Sequence, residues 1–381
     1  MKIIIDGSMY SSAPSGGVYR YFNELIPRLS RFPEAEIKIF AQKDPSGIPK
    51  GENIKIANDV LPTGIWLPEG KIKQFLRARK QEIKSFLVKK QFSGLIDSVY
   101  HATYYTPSPW KSLPEVVTVH DMISELFEET FHLPHVKTLR EAKAQSLKSA
   151  TRVIAISERT KKDLQDIYNI PPSQIDVIYH GVDHQFFSEK PCSDFKNEVL
   201  SKHKLSTPYF LYVGGRLHHK NFKRFLVAFS QSKVSKDYRL AVAGAPWNED
   251  ERELIKKLAI SDRIIRTEHL NEKALSVAYQ NAEALALPSY YEGFGLPLIE
   301  AMAAGCPVIA SNTGPFPELA EGSALFFDPK DESQMSKALE SILEPKTREA
   351  LVSRGLEQAR KFSWDTSAKK HMETYQKALS S

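Results

Sequence analysis

Short apolar runs rich in β-branched residues alternate along the whole chain with stretches whose apolar positions recur at helical spacing. KIIID is followed by the helical period of VYRYFNELIPRLSRF and then by IKIF, and EVVTVHD, RVIAIS and IDVIYHGV continue the beat. Unbroken apolar strands of this kind suit a parallel sheet covered on both faces, with the intervening helices as crossovers. Polarity rises across 192–208 and the beat pauses, then resumes at PYFLYVGG and runs through YRLAVAG, IIRTEHL, EALALPS, CPVIAS and ALFFD. The pattern predicts an α/β protein of two Rossmann-like, doubly wound parallel-sheet domains, residues 1–200 and 206–362, facing each other across a cleft. A last helix is expected within 363–381.

The length of 381 residues fits two cores, and 41% hydrophobic with 26% charged residues argues against disorder. A net charge of +6 is too small to imply nucleic acid, and no such partner is expected. Cys192 and Cys306 have neither zinc-site spacing nor the density of a disulfide scaffold, so a reducing compartment is expected. The first apolar run is too short for a signal peptide, and no segment approaches the roughly 18 apolar residues of a membrane span. The expected location is the cytoplasm. KIKQFLRARKQEIKSFLVKK at 71–90 reads either as a surface helix with a charged outer face or as a basic amphipathic helix able to lie on the inner face of the membrane.

Candidate chemistry gathers where strands end. In SYYEGFGLPLIEAMAAGCPVIAS at 289–311, Pro297 suits a first helical turn and Gly305 a helix end. Glu292 then falls in a strand-to-helix loop and Glu300, after seven intervening residues, in the first turn of the helix. Open α/β sheets bind ligands at this edge, and helix N-termini attract phosphate. Carboxylates beside phosphate make sense only if they face hydroxyl groups, as a nucleotide-sugar would offer. The plainer alternative is that Glu300 favours the helix dipole by about 0.3–1 kcal/mol and Glu292 is a loop acid. The spacing leaves both open.

YVGGRLHHKNFKRFLVAF at 212–229 places Arg216 and Lys220 before a helix, as a grip on diphosphate or as a solvated basic helix start. His218 and His219 are adjacent and point differently, so no metal site is expected. VVTVHDMI at 116–123 delivers His120 to a strand end, and Gly16 and Gly17 open a helix either as a flexible loop or as backbone donors to phosphate. The rings of YHATYYTPSPW at 100–110 suit sugar faces or a core, and Ser157 suits a helix cap or the acceptor side. No G-x-G-x-x-G turn joins a strand to a helix, which argues against a nicotinamide dehydrogenase.

The Glu, seven residues, Glu spacing inside YEGFGLPLIEAMAAGCPVIAS resembles the signature of retaining glycosyltransferase family 4, of GT-B fold. The resemblance extends over nearly the whole chain. It implies that Glu292 bonds the donor sugar and Glu300 the nucleotide ribose, with Gly293, Phe294, Gly295 and Leu296 completing the donor loop. It further implies that Arg216 and Lys220 hold the diphosphate, that Gly16 and Gly17 approach it from the other domain, and that His120 contacts the transferred sugar. Three residues separate Arg216 from Lys220, tighter than in many family members and similar to a mannosyltransferase-like subgroup with a G-x-R-x-x-x-K-N pattern. VHDMI likewise resembles bacterial mannosyltransferases. The implied function is transfer of a hexose, mannose from GDP-mannose as the first choice, to a glycan or lipid-linked glycan in cell-surface polysaccharide synthesis, without metal or other cofactor. Rhamnose, fucose or glucose donors, or a sugar-nucleotide epimerase on the same architecture, are the alternatives. The base pocket is expected near 268–271, and the last helix is expected to cross back onto the N-terminal domain.

Overall fold

A computed structural model of the chain describes residues 1–12, 16–41, 47–58, 95, 97–127, 134–267 and 270–381. Among these residues the strands are β1 Lys2–Asp6, β2 Glu36–Ala41, β3 Ile54–Asn58, β4 Ser98–Ala102, β5 Glu115–Val119, β6 Arg152–Ala155 and β7 Ile175–Val177 in one sheet. The second sheet holds β8 Tyr209–Val213, β9 Arg239–Ala243, β10 Ile264–Thr267, β11 Leu285–Leu287, β12 Val308–Ser311 and β13 Leu325–Phe327. The helices that matter to the site are, in chain order, α1 Gly17–Leu29, α2 Ile123–Leu126, α3 Pro134–Ser149, α4 Glu158–Tyr168, α5 Phe222–Gln231, α6 Glu249–Lys257, α7 Glu272–Asn281, α8 Leu296–Ala303, α9 Phe316–Ala320 and α10 Trp364–Leu379.

Among the described residues every strand pairing is parallel, with spatial orders β3-β2-β1-β4-β5-β6-β7 and β10-β9-β8-β11-β12-β13. Each order reverses direction once, between β1 and β4 and between β8 and β11. Those reversals open crevices at the carboxyl ends of the strands, where open α/β sheets bind ligands. The strands are apolar throughout because helices cover both faces: Ile3, Ile4 and Ile5 of β1 are all fully buried. The strand β3 was not among the strands read from the sequence. Its exposed Ile56 marks it as an edge strand with only half a hydrophobic signature.

In α1 the buried residues Tyr21, Phe22, Leu25, Ile26 and Leu29 form one stripe. The last helix, α10, starts at a Ser363 cap and lays Trp364, Ala368, Met372, Tyr375 and Ala378 into the same apolar cluster as β1 and α1. It therefore completes the N-terminal core from the far end of the chain. The chain crosses between the sheets twice, and the two crossings are tied: Val182 N–H donates to the Phe362 carbonyl at 3.2 Å. Of the aromatic cluster at 100–110, Tyr100, Tyr105 and Trp110 are core residues packed with Val117 and Val119. The basic stretch 71–90 lies outside the described residues, as do Glu268 and His269 of the expected base pocket. Among the described residues, no helix is long and apolar enough to cross a membrane.

Candidate active site

The loops after β8 and β11 meet at the second sheet's reversal point, and backbone constraints fix them there. Asn221 adopts a left-handed conformation with φ 56° and its side-chain amide donates to the carbonyls of Pro288 and Pro329 at 3.0 and 2.7 Å. Tyr290 N–H donates to the His219 carbonyl at 2.7 Å. Lys220 is thereby held against the β11 loop. Its Nζ donates to both oxygens of Glu292 at 2.7 Å, and Oε1 also accepts from Ser289 Oγ at 2.7 Å. Both side chains keep part of their surface in the cleft, so the pair is a preassembled cation and anion open to a ligand.

Arg216 goes elsewhere. Its Nε and Nη2 clasp Glu251 at 2.7 and 3.0 Å, Nη2 also donates to the carbonyls of Ala245 and Pro246, and the guanidinium stacks 4.7 Å from the Trp247 ring. Glu251 is at the same time the reciprocal partner of Asn248 in the capping box that starts α6. Arg216 and Glu251 are 6% and 2% exposed, a buried pair joining the β8 and β9 loops. The structure thus brings Lys220 to Glu292, while Arg216 is held by Glu251.

Glu300 lies one full turn inside α8, because the helix begins at Leu296, and not in the first turn as expected. The helix-dipole account of Glu300 therefore loses its basis. The carboxylate is 2% exposed, accepts from Tyr279 Oη at 3.0 Å and is bonded by the Arg20 guanidinium of α1, across the cleft. Pro297 and Gly305 stand where the sequence predicts, at the first turn and just past the end with φ 71°.

Two glycines of the 292–296 loop are obligatory for steric reasons. A β-carbon on Gly293 would run into the His120 carbonyl oxygen, and one on Gly295, at φ 131°, would meet the Phe316 ring. The Phe294 ring is buried and packs edge-on to His180 at 4.6 Å. Leu296 packs against apolar clusters of both domains. Ser157 does two things at once: it caps α4 by accepting from Thr160 N–H and donates to the Gly293 carbonyl at 2.8 Å. Gly16 and Gly17 are exposed, with open space in front of both α-carbons, and Gly16 needs its glycine at φ 99°.

His120 is 9% exposed at the end of β5. Its ring meets Tyr21 edge-on at 5.2 Å, and its buried Nε2 has no hydrogen-bond partner among the described residues. Burial, with Lys143 and His371 adding to it, pushes its pKa down to about 3, so the imidazole is neutral at physiological pH. Lys143 of α3, almost wholly buried, fixes the turn after His120 by donating to the Asp121 carbonyl and to Glu125 of α2, both at 2.9 Å.

The sequence reading missed a buried histidine network behind His120. His101 bonds the Tyr375 hydroxyl at 2.7 Å and the Thr118 hydroxyl at 2.8 Å, and Tyr21 Oη bonds His371. Burial lowers the pKa of His101 and His180 well below the usual value, and that of His371 to about 4. Arg20 was missed as well, although it sits one turn beyond the Gly16-Gly17 pair. Among the described residues, no group of three or more His, Cys, Asp or Glu side chains is placed to hold a metal.

Comparison with known proteins bears on the fold and the family. Residues 195–358 match the model for glycosyl transferases group 1, and residues 15–186 match that for glycosyltransferase family 4. The O-antigen chain mannosyltransferase B of Escherichia coli is 27% identical over 95% of this chain and 96% of its own length. The MMP alpha-(1->4)-mannosyltransferase of Mycolicibacterium hassiacum is 26% identical over 94% of this chain and 88% of its own. Among solved structures, sucrose-phosphate synthase from Thermosynechococcus elongatus superposes with a TM-score of 0.74 at 21% identity, covering 99% of this chain and 98% of that one. Anabaena HepE in complex with UDP and glucose gives 0.72 at 17% identity, covering 98% and 99%. The chain is a GT-B-fold glycosyltransferase related to family 4, an enzyme that transfers a sugar from a nucleoside-diphosphate-sugar donor.

Proposed function

We propose that this protein is a retaining hexosyltransferase that moves mannose from GDP-mannose to a glycan or lipid-linked glycan during cell-surface polysaccharide synthesis. The observation that carries the reading is the Lys220–Glu292 pair at the β8/β11 reversal point, faced by the His120 strand end of the other domain. The choice of mannose rests on the VHDMI string, the R-x-x-x-K-N spacing and the two mannosyltransferase relatives.

Donor binding exchanges one set of partners for another. Sugar hydroxyls donate to Glu292, and Lys220 turns its charge to the diphosphate. As the glycosidic bond breaks, negative charge builds on the leaving diphosphate, and a preorganised ammonium stabilises it more than the ground state. Gly16 and Gly17 bring backbone N–H groups to the same phosphates from the opposing domain. Arg216 turns to the diphosphate by leaving Glu251; in its observed place it clasps that carboxylate and its Nη1 lies against Gly244. The neutral His120 ring can hydrogen-bond a sugar hydroxyl but carries no positive charge to the centre.

With the donor in place Glu292 is engaged by sugar hydroxyls and by Ser289, which makes it a poor nucleophile. Departure and attack on the same face of the sugar, with no covalent intermediate, is the mechanism that fits. Lys220 supplies the charge that a divalent ion supplies in other transferases, so activity is expected to survive a chelator. A thermal-shift panel of nucleoside diphosphates and their sugars tests the donor: GDP and GDP-mannose should stabilise the protein most. Stabilisation by UDP species alone would move the assignment to glucose or a related sugar.

A further inference from the structure

Arg20 belongs to the N-terminal domain but bonds the C-terminal one. Its Nη1 donates to Glu300 Oε1, and its Nε lies 3.7 Å from Oε1 of Glu272 in the first turn of α7. Glu300 Oε2 is taken by the Tyr279 hydroxyl. Leu296, one turn before Glu300 on α8, packs into the cluster that contains α1, so the two helices meet through this contact and the ion pair together. Arg20 is a quarter exposed, and the carboxylate it covers is not.

A carboxylate this deeply buried stays ionised only where a cation and hydrogen bonds replace its water. Arg20 is the cation bonded to it, and it is supplied from the opposite side of the cleft. An ionised carboxylate offers about four lone-pair sites. Arg20 and Tyr279 use one on each oxygen, which leaves one on each oxygen for a pair of adjacent hydroxyl groups. A charged acceptor binds a hydroxyl more strongly and with more directional demand than a neutral one.

We propose that Arg20 is a positioning residue for the donor's ribose: by neutralising and orienting Glu300 from the other domain, it makes that carboxylate a charged acceptor for the 2′,3′-diol only while the domains are docked. This rests on the nucleotide-sugar reading above and extends it, because nucleotide affinity then depends on a residue of the domain that faces the acceptor. An ion pair that merely holds the domains together would lower stability when broken, without changing any preference for the diol.

The test is calorimetric titration of GDP and 2′,3′-dideoxy-GDP into wild type, R20M, R20Q and R20K at fixed ionic strength, with donor kinetics alongside. Wild type should prefer the ribose form by about tenfold or more, the effect of hydrogen bonds to a charged acceptor. R20M and R20Q should bring the ratio close to one, R20K should restore part of it, and donor KM should rise far more than kcat falls. A full ribose preference in R20M or R20Q overturns the proposal, as does tighter binding of GDP by either, which would mean that the guanidinium only blocks the site. No preference in wild type overturns the role of Glu300 and this proposal with it. Failure of wild type to bind GDP, UDP or any other nucleoside diphosphate overturns the donor reading itself.

Discussion

The carbonyl oxygen of His120 lies against the α-carbon of Gly293, in the space a β-carbon would need. The strand end of one domain and the Glu292 loop of the other are therefore in direct contact, with Ser157 bonding the Gly293 carbonyl beside them. Gly293→Ala must push the two apart. We expect a loss of about 10²-fold in kcat/KM, the scale of a 1 Å misplacement of reacting groups, together with a lower Tm. Steady-state kinetics and thermal unfolding of the variant check this, and an active, stable G293A would refute the contact.

Lys220 and Arg216 should behave differently despite their closeness in sequence. Lys220→Ala removes a part-exposed partner of Glu292, a pair worth only about 0–1 kcal/mol to stability. Its kcat should nonetheless fall about 10²–10³-fold, as when a preorganised charge donor is lost. The measurement is Tm beside kcat.

Arg216→Ala strips the counter-charge from Glu251 inside the protein, and breaking such a buried pair costs about 3–5 kcal/mol. A large fall in Tm is expected for it, and a similar one for Glu251→Ala. If R216A instead kept its Tm and lost kcat as K220A does, Arg216 would be a direct ligand of the diphosphate.

Glu318 of α9 accepts the N–H groups of Glu158 and Arg159 at 3.0 and 3.2 Å, capping α4 of the other domain. Burial lifts its pKa from 4.5 to about 7. The folded protein therefore holds this proton where the unfolded chain has released it, so its contribution is complete below pH 4.5 and is lost as pH rises through about 7. Relative to Glu318→Gln, wild type should lose stability across that window. A Tm difference that does not change with pH would refute the assignment.

The buried histidines act with the opposite sign. His120 and His371, with pKa values lowered from 6.5 to about 3 and 4, bind protons less readily folded than unfolded. Their contribution is complete above pH 6.5 and is lost as pH falls through those values. Acidification should therefore release α10 early, because His371 is on that helix and Tyr375 of the same helix bonds His101. Hydrogen exchange at 364–379 as a function of pH reads this directly. His371→Gln should shift the onset to lower pH.

Much of this was legible in the residues because parallel strands buried on both faces leave continuous apolar runs. The Glu292 loop announced itself through Gly, Pro and carboxylate at one strand end. Glu300 falls past the first turn because the helix opens at Leu296, one residue ahead of the Pro297 start that the sequence suggests. Arg216 and Lys220 read from the sequence as a joint grip on diphosphate, and nothing local shows that Glu251, 35 residues away, clasps Arg216 in the free protein. Arg20, Tyr21, His101 and His371 were invisible for the same reason. Each earns its place through a partner hundreds of residues distant or across the sheet, and a polar residue on a helix looks the same whether it faces water or a buried carboxylate.

Because α10 fills the core built on β1 and α1, those two segments leave the ribosome with no finished apolar partner until residues 364–379 have been made. The second sheet carries no such debt and can consolidate while synthesis continues. The half of the molecule translated first is thus the half that must wait, with an unpacked Tyr21–Phe22 face open to chaperones in the interval.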